Sequence, residues 1–226
     1  MSRPTHDPTP YNTIILAITA CLLWSTAFVG VKIGLRYSTP LSFAGTRFML
    51  AGLLLTPLWV SQANIFSLIR HDIKIILLLA LFQTFLLYGL FYIGITMLSG
   101  ALAAIIIGAS PLTSALTAHF FLANEPMTRS KTMSLGVGVI GVCFISISRL
   151  PWASPEGLRE FCGIILLLLS TVFSAYGNIL IIKRKSKLGS IPLNSLQIFI
   201  GGLLLFIVSI PLEGMPTIDI PWLYYG

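Results

Sequence analysis

Long stretches of apolar residues dominate the chain and recur along its whole length. A helix needs about 20 such residues to cross a bilayer whose hydrocarbon core is about 30 Å thick. Seven stretches approach this length, and short segments rich in Pro, Gly, Ser or charged residues separate them. They are approximately Thr13–Leu35, Leu41–Val60, Ile73–Met97, Ala101–Leu122, Met133–Ser148, Phe161–Ile182 and Ile191–Ile210. The pattern predicts an all-α fold, a polytopic transmembrane helix bundle.

The overall composition favours the same class. Apolar residues make up 56% of the chain and charged residues only 9%, with a mean hydropathy of +0.93. Soluble domains carry about 25% charged residues, and a soluble chain of this length needs a more polar surface. The first apolar stretch is too long for a cleavable signal peptide and is not followed by a small-residue cleavage site. The lipid bilayer is therefore the expected environment.

The positive charge is best explained by membrane topology. The net charge is +7, but the basic residues lie at the ends of apolar stretches and form no nucleic-acid-binding motif, so we expect no nucleic-acid partner. Lys and Arg are retained on the cytoplasmic side of membranes. Loops on one side carry nine of them, including the cluster within 183–187, and loops on the other side carry four. This asymmetry predicts a cytoplasmic N-terminus, although the cluster could also hold anionic lipid.

Enzymatic chemistry has no visible signature. Cys21, Cys143 and Cys162 lie in or beside apolar stretches, without the spacing of a disulfide framework or a metal site. No nucleotide-binding loop, metal-ligand set or nucleophile–base pair occurs at a suitable spacing. We expect no enzyme activity, no catalytic residue, no metal and no cofactor.

Two pairs of similar segments indicate an internal repeat, as is common in transporters. The pairs are Trp24–Phe28 with Leu169–Phe173, at an offset of 145 residues, and Ala51–Leu55 with Gly201–Leu205, at an offset of 150. The second alignment sets Arg47 against Gln197. Because the first copy contains five stretches, an odd number, the second copy would have inverted topology.

The repeat divides the chain into four parts. They are a cytoplasmic tail (1–12), a first five-helix repeat (13–148), a loop (149–160) and a second repeat (161–226) that contains only two of its helices. About seven spans of an expected ten are thus present.

Several short motifs resemble the drug/metabolite transporter superfamily, and specifically its EamA-like branch. These motifs are Leu22–Phe28 followed by Lys32; Pro40 followed by Thr46-Arg47-Phe48; Ala101–Ala104 followed by Pro111, Phe121-Leu122 and Glu125; and the glycines Gly136 and Gly141. The resemblance implies two inverted five-helix repeats. It also implies a permease of the bacterial cytoplasmic (inner) membrane that exports amino acids, metabolites or drugs.

Polar and aromatic side chains within the spans are candidates for a substrate path. Arg47 lies about 9 Å inside its span. Its charge either faces a central cavity or reaches back to the interface or to helix-end carbonyls. Tyr88 and Tyr92 share one helix face and either line a cavity or pack between helices. Trp24 and Gln197 complete the predicted set.

Three further residues are candidates for proton transfer or gating. His119 could relay protons, although a hydrogen-bonded structural role is an alternative. Glu125 closes the fourth span and could instead brace a loop. Pro111 interrupts the same span and is expected to mark a kink or hinge.

Two predictions concern structure more than transport. Lys32, about one turn from the outer end of its span, is expected to reach the interface, although a role beside Arg47 in holding a carboxylate is also compatible with the sequence. The small residues Gly100, Ala104 and Gly108 recur every four positions, which predicts close helix packing.

Two functional interpretations remain open. The first is a secondary transporter of a small organic solute, driven without ATP. The second is a truncated membrane fragment that does not transport, or a half-size unit that needs a homodimer or partner chain to complete the second repeat.

Overall fold

The protein is all-α in the part of the chain that the structure describes. This computed structural model describes residues 10–62, 64–122, 128–148, 155–183 and 188–215, without the side chains of 10–12, 24, 28, 142, 145 and 146. These residues form nine α-helices. They are α1 (Pro10–Gly34), α2 (Pro40–Leu55), α3 (Ile65–Leu79), α4 (Leu87–Thr96), α5 (Gly100–Gly108), α6 (Ser110–Phe121), α7 (Arg129–Ser148), α8 (Pro155–Lys183) and α9 (Ser190–Glu213).

Six helical segments of the described chain are long and apolar enough to cross a membrane. They are Thr13–Gly34, Pro40–Leu58, Ile65–Thr96, Gly100–Phe121, Pro155–Lys183 and Ser190–Glu213. The prediction of a polytopic transmembrane helix bundle is thereby confirmed, and the protein is an integral membrane protein. The remaining predicted stretch, Met133–Ser148, lies within α7.

Helices α2 and α9 form the closest helix pair, and they run in opposite directions. A Cβ atom added to Gly202 would lie 2.7 Å from the amide nitrogen of Met49, and one added to Gly45 would lie 2.9 Å from the carbonyl oxygen of Gly202. Farther along, the Ser195 hydroxyl donates a hydrogen bond to the carbonyl of Gly52 over 2.8 Å. Because glycine has no side chain, the two backbones can touch, and close contact increases the dispersion attraction between helices in lipid.

The contacts of this pair agree with the offset of 150 found in the sequence. At this offset Gly45 corresponds to Ser195, and Gly52 corresponds to Gly202. The Gly45–Gly202 contact therefore has the Gly52–Ser195 contact as its counterpart, and both contacts occur. This is the contact pattern that a two-fold relation between α2 and α9 produces. The division into two repeats remains an interpretation of the sequence.

The stripe of small residues Gly100, Ala104 and Gly108 does not show the close helix packing that the sequence predicted. A Cβ atom on Gly100 or Gly108 would meet no described atom within 4 Å, and Ala104 is exposed. The opposite face of α5, with Leu102 and Ile106, is the buried one. Spacing alone identifies a smooth helix face, but it does not show whether a neighbouring helix lies against that face.

The third and fourth spans are each interrupted near the middle. A π-helical segment, Ala80–Leu86, connects α3 to α4 and contains the polar residues Gln83 and Thr84. The break between α5 and α6 falls at Ala109, two residues before Pro111. A break near Pro111 is expected, because proline has no amide hydrogen to continue the helical hydrogen bonds, and the predicted role as a kink or hinge stays a prediction.

Polar side chains join helix ends at both ends of the bundle. At one end, Lys32 Nζ donates hydrogen bonds to the carbonyls of Ile95 (2.5 Å) and Leu98 (2.7 Å). At the other end, the buried Asp72 accepts a hydrogen bond from the amide of Leu188 over 3.2 Å. Lys32 therefore holds the C-terminal end of α4 and does not line the cavity described below, while its predicted position at the interface stays a prediction.

Candidate functional site

A cavity of about 350 Å³ lies among the spans. Every described helix of the bundle apart from α3 and α7 contributes to its wall, and so does the π-helical segment. The lining residues are Ala27, Val31, Arg47, Phe48, Gln83, Thr84, Leu87, Tyr88, Phe91, Tyr92, Ile107, Ser110, Thr171, Ser174, Gln197 and Ile198. Such a mixture of apolar surface with a few polar groups is typical of small-molecule sites, and the volume is at the lower end of their range.

Arg47 brings a positive charge into this wall from the middle of α2. Its Nη1 donates a hydrogen bond to the hydroxyl of Tyr92 over 2.9 Å, and its guanidinium carbon lies 5.9 Å from the ring centre of Phe48. No carboxylate of the described chain forms an ion pair with it, and the side chain is exposed to the cavity. The guanidinium carries five N–H donors, so most of its capacity is free for another group.

Aromatic rings form the surface next to this charge. The ring centres of Phe48 and Tyr88 lie 4.2 Å apart, and those of Phe91 and Tyr92 lie 5.6 Å apart in an edge-to-face arrangement. Tyr88 and Tyr92 follow one face of α4, as their spacing predicted. Helix α4 is held in place by α8, because Gly94 lies close to Gly163. Phe48, Phe91 and Tyr92 are buried, so the half-buried ring of Tyr88 is the one that offers a planar solute a contact surface.

Three buried oxygen atoms at this cavity have no hydrogen-bond partner in the described part of the protein. They are Oε1 of Gln83, Oγ1 of Thr84 and Oε1 of Gln197. The amide nitrogen of each glutamine is satisfied, since Gln83 donates to Asn178 over 2.8 Å and Gln197 donates to Asn194 over 3.0 Å. A buried oxygen without a donor costs about 1–3 kcal/mol. The oxygen of Gln83 lies against Gly177 on α8, which leaves those of Thr84 and Gln197 as candidate acceptors for a solute.

Four of the predicted substrate-path residues meet in this one cavity. They are Arg47, Tyr88, Tyr92 and Gln197. Trp24 lies on α1, but its side chain is outside the described residues.

The predicted gating residues are more scattered. Pro111 follows Ser110, which lines the cavity, whereas Glu125 lies outside the described residues. His119 does not line the cavity, and its exposed ring packs against Phe120 at 5.5 Å.

Sequence reasoning missed a set of uncharged polar residues in the wall. They are Gln83, Thr84, Ser110, Thr171 and Ser174. Gln83 could have been predicted from the sequence. Like Gln197, it is an amide residue inside an apolar span, which is unusual. The hydroxyl residues gave no such indication, since Ser and Thr commonly bond to their own helix, as Thr171 does with the carbonyl of Leu168 over 2.7 Å.

Comparison with known proteins identifies the family. The EamA-like transporter family matches residues 12–147. The chain is 31% identical over 208 residues to the uncharacterised transporter YvbV of Bacillus subtilis (strain 168), covering 92% of this chain and 66% of that protein. It is 30% identical over 204 residues to the S-adenosylmethionine/S-adenosylhomocysteine transporter of Chlamydia trachomatis serovar L2, covering 87% of this chain and 61% of that protein.

The chain thus spans less than two thirds of the length of these curated relatives. No solved structure matches it. With the family match extending over more than half of the chain, and with relatives named as transporters, the protein belongs to the EamA-like transporter family.

Proposed function

We propose that the protein is a secondary transporter that exports a small organic solute, such as an amino acid, a metabolite or a drug. The observation that carries this proposal is the cavity among the spans, where Arg47, two tyrosines and unpaired amide oxygens converge. A charged side chain inside the membrane is costly and usually marks a solute or ion pathway.

The names of the relatives support the same function. Those from Bacillus subtilis and Chlamydia trachomatis are called transporters, and the chlamydial protein is named for S-adenosylmethionine and S-adenosylhomocysteine. S-adenosyl compounds are therefore reasonable first solutes to test. Transport in this proposal depends on movement of the spans around the cavity and on an existing gradient, without ATP.

The cellular setting of the proposal is the bacterial cytoplasmic membrane, with the N-terminus in the cytoplasm. The asymmetry of Lys and Arg between alternate loops supports this orientation. A cysteine placed in the N-terminal tail and labelled with an impermeant reagent in intact cells would check it.

A second candidate is a unit that transports only together with a second copy or a partner chain. Helices α1 and α7 expose many large apolar side chains, among them Leu16, Leu23, Val137 and Phe144. Lipid can cover these side chains, but so can another helix. Cross-linking in native membranes separates the two cases, because a stable oligomer that is required for activity favours the assembly.

Vesicles that contain the purified protein test the main proposal. Solute is loaded on one side, and its movement is followed with and without an imposed solute or ion gradient. We expect gradient-driven movement above protein-free vesicles, with no requirement for ATP. Movement that needs ATP in the absence of any gradient would contradict the proposal.

A further inference from the structure

The cavity has a net positive charge, which restricts the solutes that it can bind. Arg47 contributes one cation, and none of the lining residues is a carboxylate. Lys32 is not among the lining residues, and its ammonium group points to the carbonyls of Ile95 and Leu98. The guanidinium fork is therefore the only charged group lining the described cavity.

A guanidinium in such a place favours an anionic group, a carboxylate or a phosphate, over neutral and cationic groups, and the single charge of Arg47 balances the single charge of a carboxylate. Two parallel N–H donors match the two carboxylate oxygens, and removal from water strengthens the attraction. Tyr92 fixes the guanidinium by accepting from Nη1, so that less freedom is lost when an anion binds. An organic cation at the same place meets repulsion that water screens only in part.

The rest of the wall adds two requirements. The half-buried ring of Tyr88 provides an apolar contact surface, and the buried ring of Phe48 packs between it and Arg47. Gln197 and Thr84, only 4% and 1% exposed, line the cavity and each have an unpaired oxygen, whereas Oε1 of Gln83 lies against Gly177 on α8. The oxygens of Thr84 and Gln197 call for hydrogen-bond donors on the solute.

From these observations we infer that the cavity selects solutes in which a carboxylate is joined to a planar ring bearing N–H groups, and that it rejects organic cations that lack a carboxylate. Arg47 holds the carboxylate, Tyr88 contacts the ring, and Thr84 and Gln197 accept from the N–H donors. The inference rests on the proposed function and narrows it, because cationic drugs and polyamines are excluded.

Three indole compounds test the effects of a carboxylate and of an ammonium group on binding separately. Indole-3-propionate carries only the carboxylate, tryptamine carries only an ammonium group, and L-tryptophan carries both on the same ring. Binding to the full chain in lipid nanodiscs is measured by equilibrium dialysis with radiolabelled compounds. We expect both acids to bind at least about tenfold more tightly than tryptamine. Equal or tighter binding of tryptamine overturns the inference.

Matched variants assign the preference to residues. Arg47→Gln should remove the preference for the acids, and Arg47→Lys should keep part of it, since the charge remains without the fork. Gln197→Met should weaken both acids severalfold while the charge preference persists. Gln62→Met, at an exposed position outside the cavity, is the control and should change nothing. A preference that survives Arg47→Gln overturns the assignment.

Transport of the same compounds distinguishes this inference from the proposed function. If the acids bind but never cross the vesicle membrane, the selectivity stands and the proposed transport fails. If another solute is transported while neither acid binds, transport stands and the inferred selectivity is wrong.

Discussion

The carboxylate of Glu213, at the end of α9, accepts a hydrogen bond from the amide of Leu41, in the first turn of α2, over 2.9 Å. Its other oxygen accepts from the amide of Ser42 over 3.1 Å. The residue before α2, Thr39, makes no side-chain cap of its own. A residue 172 positions away thus satisfies the free amides of the helix start and places a negative charge at the positive end of its dipole.

Replacement of Glu213 should therefore loosen the pairing of α2 with α9. We expect Glu213→Ala to lower stability by about 1 kcal/mol, the usual cost of a lost helix cap, and Glu213→Gln to cost less because one oxygen still accepts. Thermal denaturation in detergent, followed by size-exclusion chromatography, measures both. The neighbouring exposed residue provides the control, Leu212→Ala. Equal melting of Glu213→Ala and the wild type would contradict the capping role.

The contact between α2 and α9 should not tolerate a single added methyl group. In Gly202→Ala the new Cβ would meet the backbone of Met49 at 2.7 Å, which is closer than real Cβ atoms come. We expect a loss of about 1–3 kcal/mol from overpacking. Gly136→Ala, in an interior turn of α7 with nothing within 4 Å, is the matched control and should be neutral or slightly stabilising. Similar melting temperatures for the two variants would contradict the contact.

If the proposed transport function is correct, Arg47→Ala should abolish transport while leaving insertion and expression intact. The reason is that a fixed cation partly removed from water attracts an anionic group far more strongly than a surface charge, which is worth about 1 kcal/mol. Arg47→Lys should recover only part of the activity. Transport is compared in vesicles at matched protein levels. Full transport by Arg47→Ala would remove this residue from the site.

Tyr92→Phe tests whether the position of the guanidinium matters as well as its charge. The variant keeps the ring contacts with Phe91 and Phe48 and loses only the hydroxyl that accepts from Arg47. We expect a severalfold weaker apparent affinity for an anionic solute and little change in stability. Tyr37→Phe, outside the cavity, serves as a comparison. An unchanged affinity would mean that Arg47 needs no support from Tyr92.

Lys32→Gln should reduce stability without altering which solutes bind. The ammonium group makes two hydrogen bonds to carbonyls near the end of α4, and hydrogen bonds to charged groups are each worth about 1.5–3 kcal/mol. Arg36→Gln, in the exposed turn after α1, should have little effect. Melting temperatures and the binding ratio of indole-3-propionate to tryptamine are measured together. A changed ratio in Lys32→Gln would place Lys32 in the site.

The spans could be predicted from the sequence because their signal is local. Apolar length alone indicates a crossing, and the spacing of Tyr88 and Tyr92 shows that they share a face. The pairing of Arg47 with Gln197 came from the internal similarity, and both residues line the cavity.

The features that the sequence did not predict depend on which helices pack against each other. The small residues Gly45, Gly52 and Gly202 form the close contact, yet the more regular stripe of α5 drew attention because a sequence does not reveal the partner of a helix face. The same limit hid the roles of Lys32 and Glu213, whose acceptors and donors are remote in the chain.

The π-helical segment Ala80–Leu86 determines which way the aromatic surface of α4 points. A π-helical segment accommodates one residue more than an α-helix of the same height, and one residue corresponds to about 100° of rotation. Winding these seven residues as α-helix without changing their number would therefore turn Tyr88 and Tyr92 away from Arg47. Deleting one residue here should preserve their direction, because the shorter segment can wind as α-helix. Inserting one residue into α4 before Tyr88 should instead swing both tyrosines out of the cavity.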